Sequence, residues 1–243
     1  MTCTGDGNPT CGQQADALVD ADGRHLPNLL ARLGLPPDDE VAAACFSAGG
    51  SAWKRILMSR QDRQQTRVLH LADGAYTATS LPGGAPEPPE GFVLYGLDCL
   101  AGDRLFVATA SGAPNKQYPS GIQTLRAIED EIAARSGVSF EEGGELPGLP
   151  PPERLARAGG IIFCYYPQFG HGEQATKLGG PVWQNVIEPW LAGDRSAVPG
   201  VIDQGSEGDP SGADALVLLA ASVAGAAAGY AAVRLWRGTR SRS

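Results

Sequence analysis

The chain has 243 residues and a formal net charge of -8, with 42% apolar and 19% charged residues. That balance suits one globular domain with a sizeable core and excludes a largely disordered chain. The last thirty residues hold four arginines against Asp214, which leaves 15 basic and 26 acidic residues in the rest. A body this acidic has no basic stripe with which to displace phosphate counterions, so nucleic acid is excluded as a partner.

Residues 1–36 read as an N-terminal loop followed by a helix. The opening "MTCTGDGNPTCGQQADALVDADG" has no basic start and no apolar stretch, and no signal peptide is expected. Cys3 and Cys11 flank a Gly/Asp/Asn/Pro loop; they are either a disulfide in an oxidising compartment or two unpaired thiols. Cys45, Cys99 and Cys164 lie in apolar surroundings and read as small buried hydrophobes. No His or further Cys stands at zinc-ligand spacing, so neither a metal nor a cofactor is expected. Leu26, Leu29, Leu30 and Leu33 follow helical spacing, and Gly34 with two prolines closes that helix.

Residues 37–191 read as one α/β domain. Val41 to Phe46 is an apolar run of strand length, followed by Ser-Ala-Gly-Gly and a helix from about Ser51 to Arg60. A second strand covers 67–74, and a Pro/Gly loop leads from it to the helix in "FVLYGLDCLAG". A third strand covers 103–112, and a well-patterned helix covers 121–137. A fourth strand begins "GGIIFCYYPQFGHGE" at 159–173, and 181–191 is a closing helix. Strands too apolar to have a wet face, alternating with helices, predict a small, mostly parallel sheet covered by helices.

Residues 192–213, rich in Gly, Asp, Ser and Pro, read as a linker. Beyond them, "ALVLLAASVAGAAAGYAAV" runs nineteen residues, 215–233, without a charge. At 1.5 Å per residue such a helix spans roughly the ~30 Å hydrocarbon core. Tyr230 and Trp236 sit at interfacial positions, and Arg234, Arg237, Arg240 and Arg242 supply a basic flank. A single transmembrane helix is therefore expected over 214–236, with a basic tail at 237–243 and a membrane location. Gly225 and Gly229 have the spacing at which two such helices approach closely, which suggests a weak homodimer.

Ligands of parallel sheets bind beyond the carboxyl ends of the strands. Ser47 follows the first strand, Asp73 the second, Thr109–Ser111 ends the third, and the fourth leads to His171. A serine hydroxyl is a poor nucleophile at neutral pH. It needs an imidazole base, and the base needs a carboxylate to fix its tautomer. Of the other histidines, His25 lies before the sheet and His70 inside a strand. Asp73 also suits the turn "ADGAY", a common use of Asp-Gly. Glu173 and Asp98 are the substitute acids.

"C-F-S-A-G", Cys45 to Gly49, resembles the nucleophile elbow of the α/β-hydrolase superfamily, with Cys45 in place of the usual glycine. The order serine, acid, histidine is also that superfamily's order. The resemblance covers about residues 37–191, the second half of that fold, and few residues precede the first strand to supply the missing strands. It implies Ser47 as nucleophile, His171 as base, Asp73 as acid and the backbone N–H of Ala48 as one oxyanion donor, with Ser111 and Tyr118 in the pocket wall. The activity implied is a membrane-anchored serine hydrolase acting on a small-molecule ester or an amide, through an acyl-enzyme. The other reading is a non-catalytic hydrolase-like scaffold at the membrane, or a binding module using the glycine-rich turn after Phe46.

Overall fold

The computed structural model describes residues 23–47, 49–77, 84–112 and 119–195, together with the backbone of 213–223 and 229–238. Its centre is four parallel strands: β1 (Val41–Phe46), β2 (Thr66–Ala72), β3 (Leu105–Ser111) and β6 (Ile161–Tyr166). They lie side by side in the order β6-β3-β2-β1, so each crossover steps one place in the same direction. Two short antiparallel strands, β4 (Glu141–Glu142) and β5 (Arg154–Ala158), extend the sheet beyond β6. These six strands make a mixed, mostly parallel α/β arrangement within the sheet.

Right-handed crossovers repeated in one direction place their helices on one face. That face carries α1 (His25–Arg32), α2 (Gly49–Ile56), α4 (Glu90–Cys99) and α5 (Gly121–Ser136). Alternate strand residues Cys45, Leu71, Phe106 and Phe163 meet Leu30, Trp53, Phe92 and Ile132 there. The polar turn of helix α3 (Arg60–Gln65) supports this layer through Asp62, whose carboxylate accepts the N–H groups of His25 and Leu26 at 3.3 and 2.9 Å. It thereby satisfies two orphan donors at the start of α1. Removing Asp62 from water raises its pKa despite those bonds.

The opposite face is covered by one helical run, α6, over residues 171–191. It alternates short α turns with the π turns Gln174–Gly179 and Trp183–Ile187. Gln174, Leu178, Val182, Val186 and Trp190 recur every four residues and are all buried. Four residues of α-helix overshoot a full turn by about 40°. Wider i→i+5 turns interspersed with α turns cancel that drift and hold the row in line. The row packs on Val68, Val107, Ile162 and Tyr166.

The expected strands and helices of 37–191 are thus present, with α6 starting ten residues earlier than expected and β4, β5 and α3 added. The described parts of the segment expected as a transmembrane helix have extended backbone. β7 (Ala213–Val223) and β8 (Gly229–Gly238) are antiparallel, and β8 pairs with β1, from Val41 opposite Leu235 to Cys45 opposite Ala231. A long apolar run without a period does not by itself distinguish strand from helix. Among the described residues no helix is long and apolar enough to cross a membrane. Gly225 of the expected dimer motif, Cys3 and Cys11 lie outside the described residues.

Candidate functional site

The carboxyl ends of β1, β2 and β3 and the start of α6 meet at one point. Ser47 follows β1 directly and has φ 55°, the left-handed region that a residue with a Cβ enters at a cost of roughly 1–2 kcal/mol. Two backbone bonds hold it there: its N–H donates to Ala72 O at 3.4 Å, and its carbonyl accepts from Gly50 N at 3.1 Å. A Cβ built on Gly50 would fall 1.8 Å from Gly74 O, so α2 can begin this close to the exit of β2 only with glycine there. The sequence pattern places the need for small residues two positions either side of Ser47. The tightest approach recorded here is one position further on.

Asp73 continues β2. Its N–H donates to Thr109 O at 2.8 Å, and then the chain turns sharply, with φ 47° at Asp73 itself. The turn points the carboxylate across the end of β3, where it is fully buried. Oδ1 accepts the Ser111 N–H at 3.0 Å, and Oδ2 accepts the Ser111 hydroxyl and the Tyr76 hydroxyl, the latter at 2.8 Å. Gly121, the first residue of α5, leaves room for it.

His171 opens α6 directly after Gly170, whose N–H is capped by Glu173 Oε2 at 2.7 Å. Its ring stacks on Phe46 with centroids 4.5 Å apart, and Tyr76 meets it edge-on at 5.8 Å. Nδ1 lies 2.6 Å from Asp73 Oδ2, and Nε2 lies 2.8 Å from Ser47 Oγ. The imidazole is 29% exposed, whereas the carboxylate behind it has no contact with solvent. Hydroxyl, imidazole and carboxylate form one continuous hydrogen-bonded chain, open to solvent at the serine end. Such a chain can take a proton from Oγ as the oxygen becomes a nucleophile, and return it to a leaving group.

The structure brings Ser47, Asp73 and His171 together across 124 and 98 residues of sequence. Ser111 is not in a pocket wall; it is fully buried behind Asp73 and holds its carboxylate. Ala48 and Tyr118 lie outside the described residues. The substitute acids are engaged elsewhere: Glu173 caps α6 and pairs with Lys177, and Asp98 pairs with Arg63 at 2.8 Å. His70 is buried within β2, where loss of water pushes its pKa down to about 4. No sequence pattern marks Tyr76 as part of the site; its trace in the sequence is an aromatic three residues after Asp73. Phe46 counts among the apolar residues of its strand, and nothing in the pattern marks it as the surface on which the imidazole rests.

Among the described residues there is no group of three or more His, Cys, Asp or Glu that would hold a metal ion. Cys45, Cys99 and Cys164 are buried thiols, and burial pushes Cys164 up to about 12. None of the three has the character of a reactive thiolate. No known family model matches this chain, and neither curated proteins nor solved structures give a match.

Proposed function

We propose that this protein is a serine hydrolase that cleaves a carboxylic ester or an amide through an acyl-enzyme. The observation that carries the reading is the Ser47–His171–Asp73 chain, with links of 2.8 and 2.6 Å and a nucleophile in left-handed backbone. A strained turn of this kind lifts the hydroxyl out of the sheet and recurs at functional sites.

In the proposed cycle His171 Nε2 removes the proton as Ser47 Oγ attacks the substrate carbonyl. Asp73 accepts the Nδ1–H and stabilises the imidazolium that forms. Collapse of the tetrahedral intermediate passes the proton to the leaving group and leaves the acyl group on Ser47. Water, activated by the same imidazole, then releases the acid. The resemblance to the α/β-hydrolase superfamily supplies the Ala48 N–H as one oxyanion donor. The architecture supports that kinship at the level of topology: a serine, an acid and a histidine follow β1, β2 and β6 of one mostly parallel sheet, with helices on both faces. The elements require neither a metal nor an organic cofactor for this chemistry.

We also propose attachment to a membrane through 215–233, on the strength of nineteen uncharged residues with four arginines after them. The catalytic proposal is tested with short-chain p-nitrophenyl esters. The full-length protein should release nitrophenolate with a burst, and Ser47→Ala should not. Folded wild-type protein that shows neither burst nor turnover, together with no reaction at Ser47 toward activated acyl or phosphonyl probes, would favour the non-catalytic scaffold.

A further inference from the structure

Three groups at the site form a closed triangle. Tyr76 Oη lies 2.8 Å from Asp73 Oδ2 and 3.0 Å from His171 Nδ1, and Nδ1 lies 2.6 Å from the same Oδ2. We infer that Tyr76 is a positioning residue, which locks His171 in the Nδ1–H tautomer by accepting from Nδ1 while donating to Asp73. This inference rests on the hydrolase reading for its catalytic consequence, and on geometry alone for the hydrogen bonds.

Counting protons gives the result. A phenol has one O–H and a carboxylate has none to give. The Tyr76 proton is directed at Asp73 Oδ2, so the remaining contact, between Oη and Nδ1, has to be supplied by a proton on the ring. That Nδ1–H is shared between two oxygen acceptors. Nε2 then carries the lone pair, and it faces Ser47 Oγ at 2.8 Å. Were Nε2 protonated instead, Nδ1 would face the carboxylate at 2.6 Å with no proton between them, an arrangement of two acceptors. The ring is further confined by Phe46 stacked on it and by the edge of Tyr76 itself. The loop reaches this position because Asp73 turns with positive φ, which brings a residue three places later back over its own carboxylate.

Tyr76→Phe keeps the ring and removes only the oxygen. The His171 Hδ1 resonance reads the bond directly, and with three histidines in the chain it is assigned by its loss in His171→Gln. In Tyr76→Phe that proton has one acceptor, and Asp73 Oδ2 has lost a competing donor; both changes strengthen the remaining bond, so the resonance should move further downfield. A resonance at the wild-type position would overturn the assignment, whatever the protein's activity. Fluorophosphonate inactivation reads the consequence. The maximal rate should fall about fivefold, the kinetic equivalent of one ordinary hydrogen bond, with the half-saturating concentration unchanged. The fraction finally labelled should stay at the wild-type level, which distinguishes a misaimed imidazole from unfolding. A wild-type rate in Tyr76→Phe would also overturn the positioning role. Wild type that does not label at all overturns the hydrolase reading instead, and the resonance still decides what Tyr76 does.

Discussion

Gly121 is shaped around Asp73: a Cβ built on Gly121 would stand 2.2 Å from Asp73 Oδ1. The first residue of α5 therefore has to lack a side chain if the carboxylate is to reach both Ser111 and His171. Alanine is otherwise the better residue in a helix, by about 1 kcal/mol over glycine. Gly121→Ala should consequently retain the fold while displacing the carboxylate, and serine labelling by a fluorophosphonate should slow by at least about tenfold, on the scale of one misplaced group. Labelling at the wild-type rate in a folded Gly121→Ala protein would show that the contact does not constrain the site.

His70 links stability to pH. Its side chain is buried inside β2, and its pKa is lowered to about 4 from an ordinary 6.5. Between those values the unfolded chain binds a proton that the folded chain refuses, so stability falls as pH drops through that window. The full effect is roughly 3 kcal/mol for a shift of this size. Denaturant midpoints measured from pH 7 to pH 4 should decline in the wild type and decline less in His70→Leu. Parallel curves for the two proteins would remove His70 as the cause.

The residues legible in the sequence were those whose position is set by one strand. Ser47, Asp73 and His171 each follow an apolar run, so placing the runs in one parallel sheet brings all three to its carboxyl edge. Ser111 and Tyr76 are not legible in their observed roles: the Asp-Gly pair announces a turn, but hydrogen bonding to Asp73 depends on positive φ at the aspartate itself, which the pair does not specify. The start of α6 gives no helix signal before Pro181, because "GHGEQATKLGG" has no 3.6-residue period and its four glycines disfavour a helix. Its apolar row has a period of four, which only a helix with π turns can present to a sheet. β5 is not legible because "RLARA" alternates weakly and its arginines serve polar contacts: Arg154 pairs with both Glu129 and Glu142, and Arg157 donates to Gly143 O.

The C-terminal segment separates two physical roles. If residues 213–238 serve only to cover the edge of β1, the full-length protein should remain in the supernatant after membranes are pelleted. The proposed attachment predicts that the full-length chain pellets and a chain ending at residue 212 does not. Both should react with a fluorophosphonate, because Ser47, Asp73 and His171 all precede the deletion. Full-length protein found entirely in the supernatant would contradict attachment.

Asp73→Asn tests the direction of proton flow. Asparagine keeps the volume, yet its amide would donate to Nδ1 and favour the other tautomer, leaving an N–H rather than a lone pair toward Ser47. Turnover should fall by about three to four orders of magnitude, as expected when a triad loses its acid by an isosteric change. Activity within tenfold of wild type would exclude Asp73 as the acid.

The central claim is that Ser47 is a nucleophile activated by His171. Intact-mass analysis after fluorophosphonate treatment of the full-length protein measures it most directly. The account predicts one adduct per chain, located on the peptide containing Ser47, absent in Ser47→Ala and strongly slowed in His171→Ala but not in His70→Ala. An unmodified wild type that is demonstrably folded, or an adduct that persists in Ser47→Ala, would contradict it.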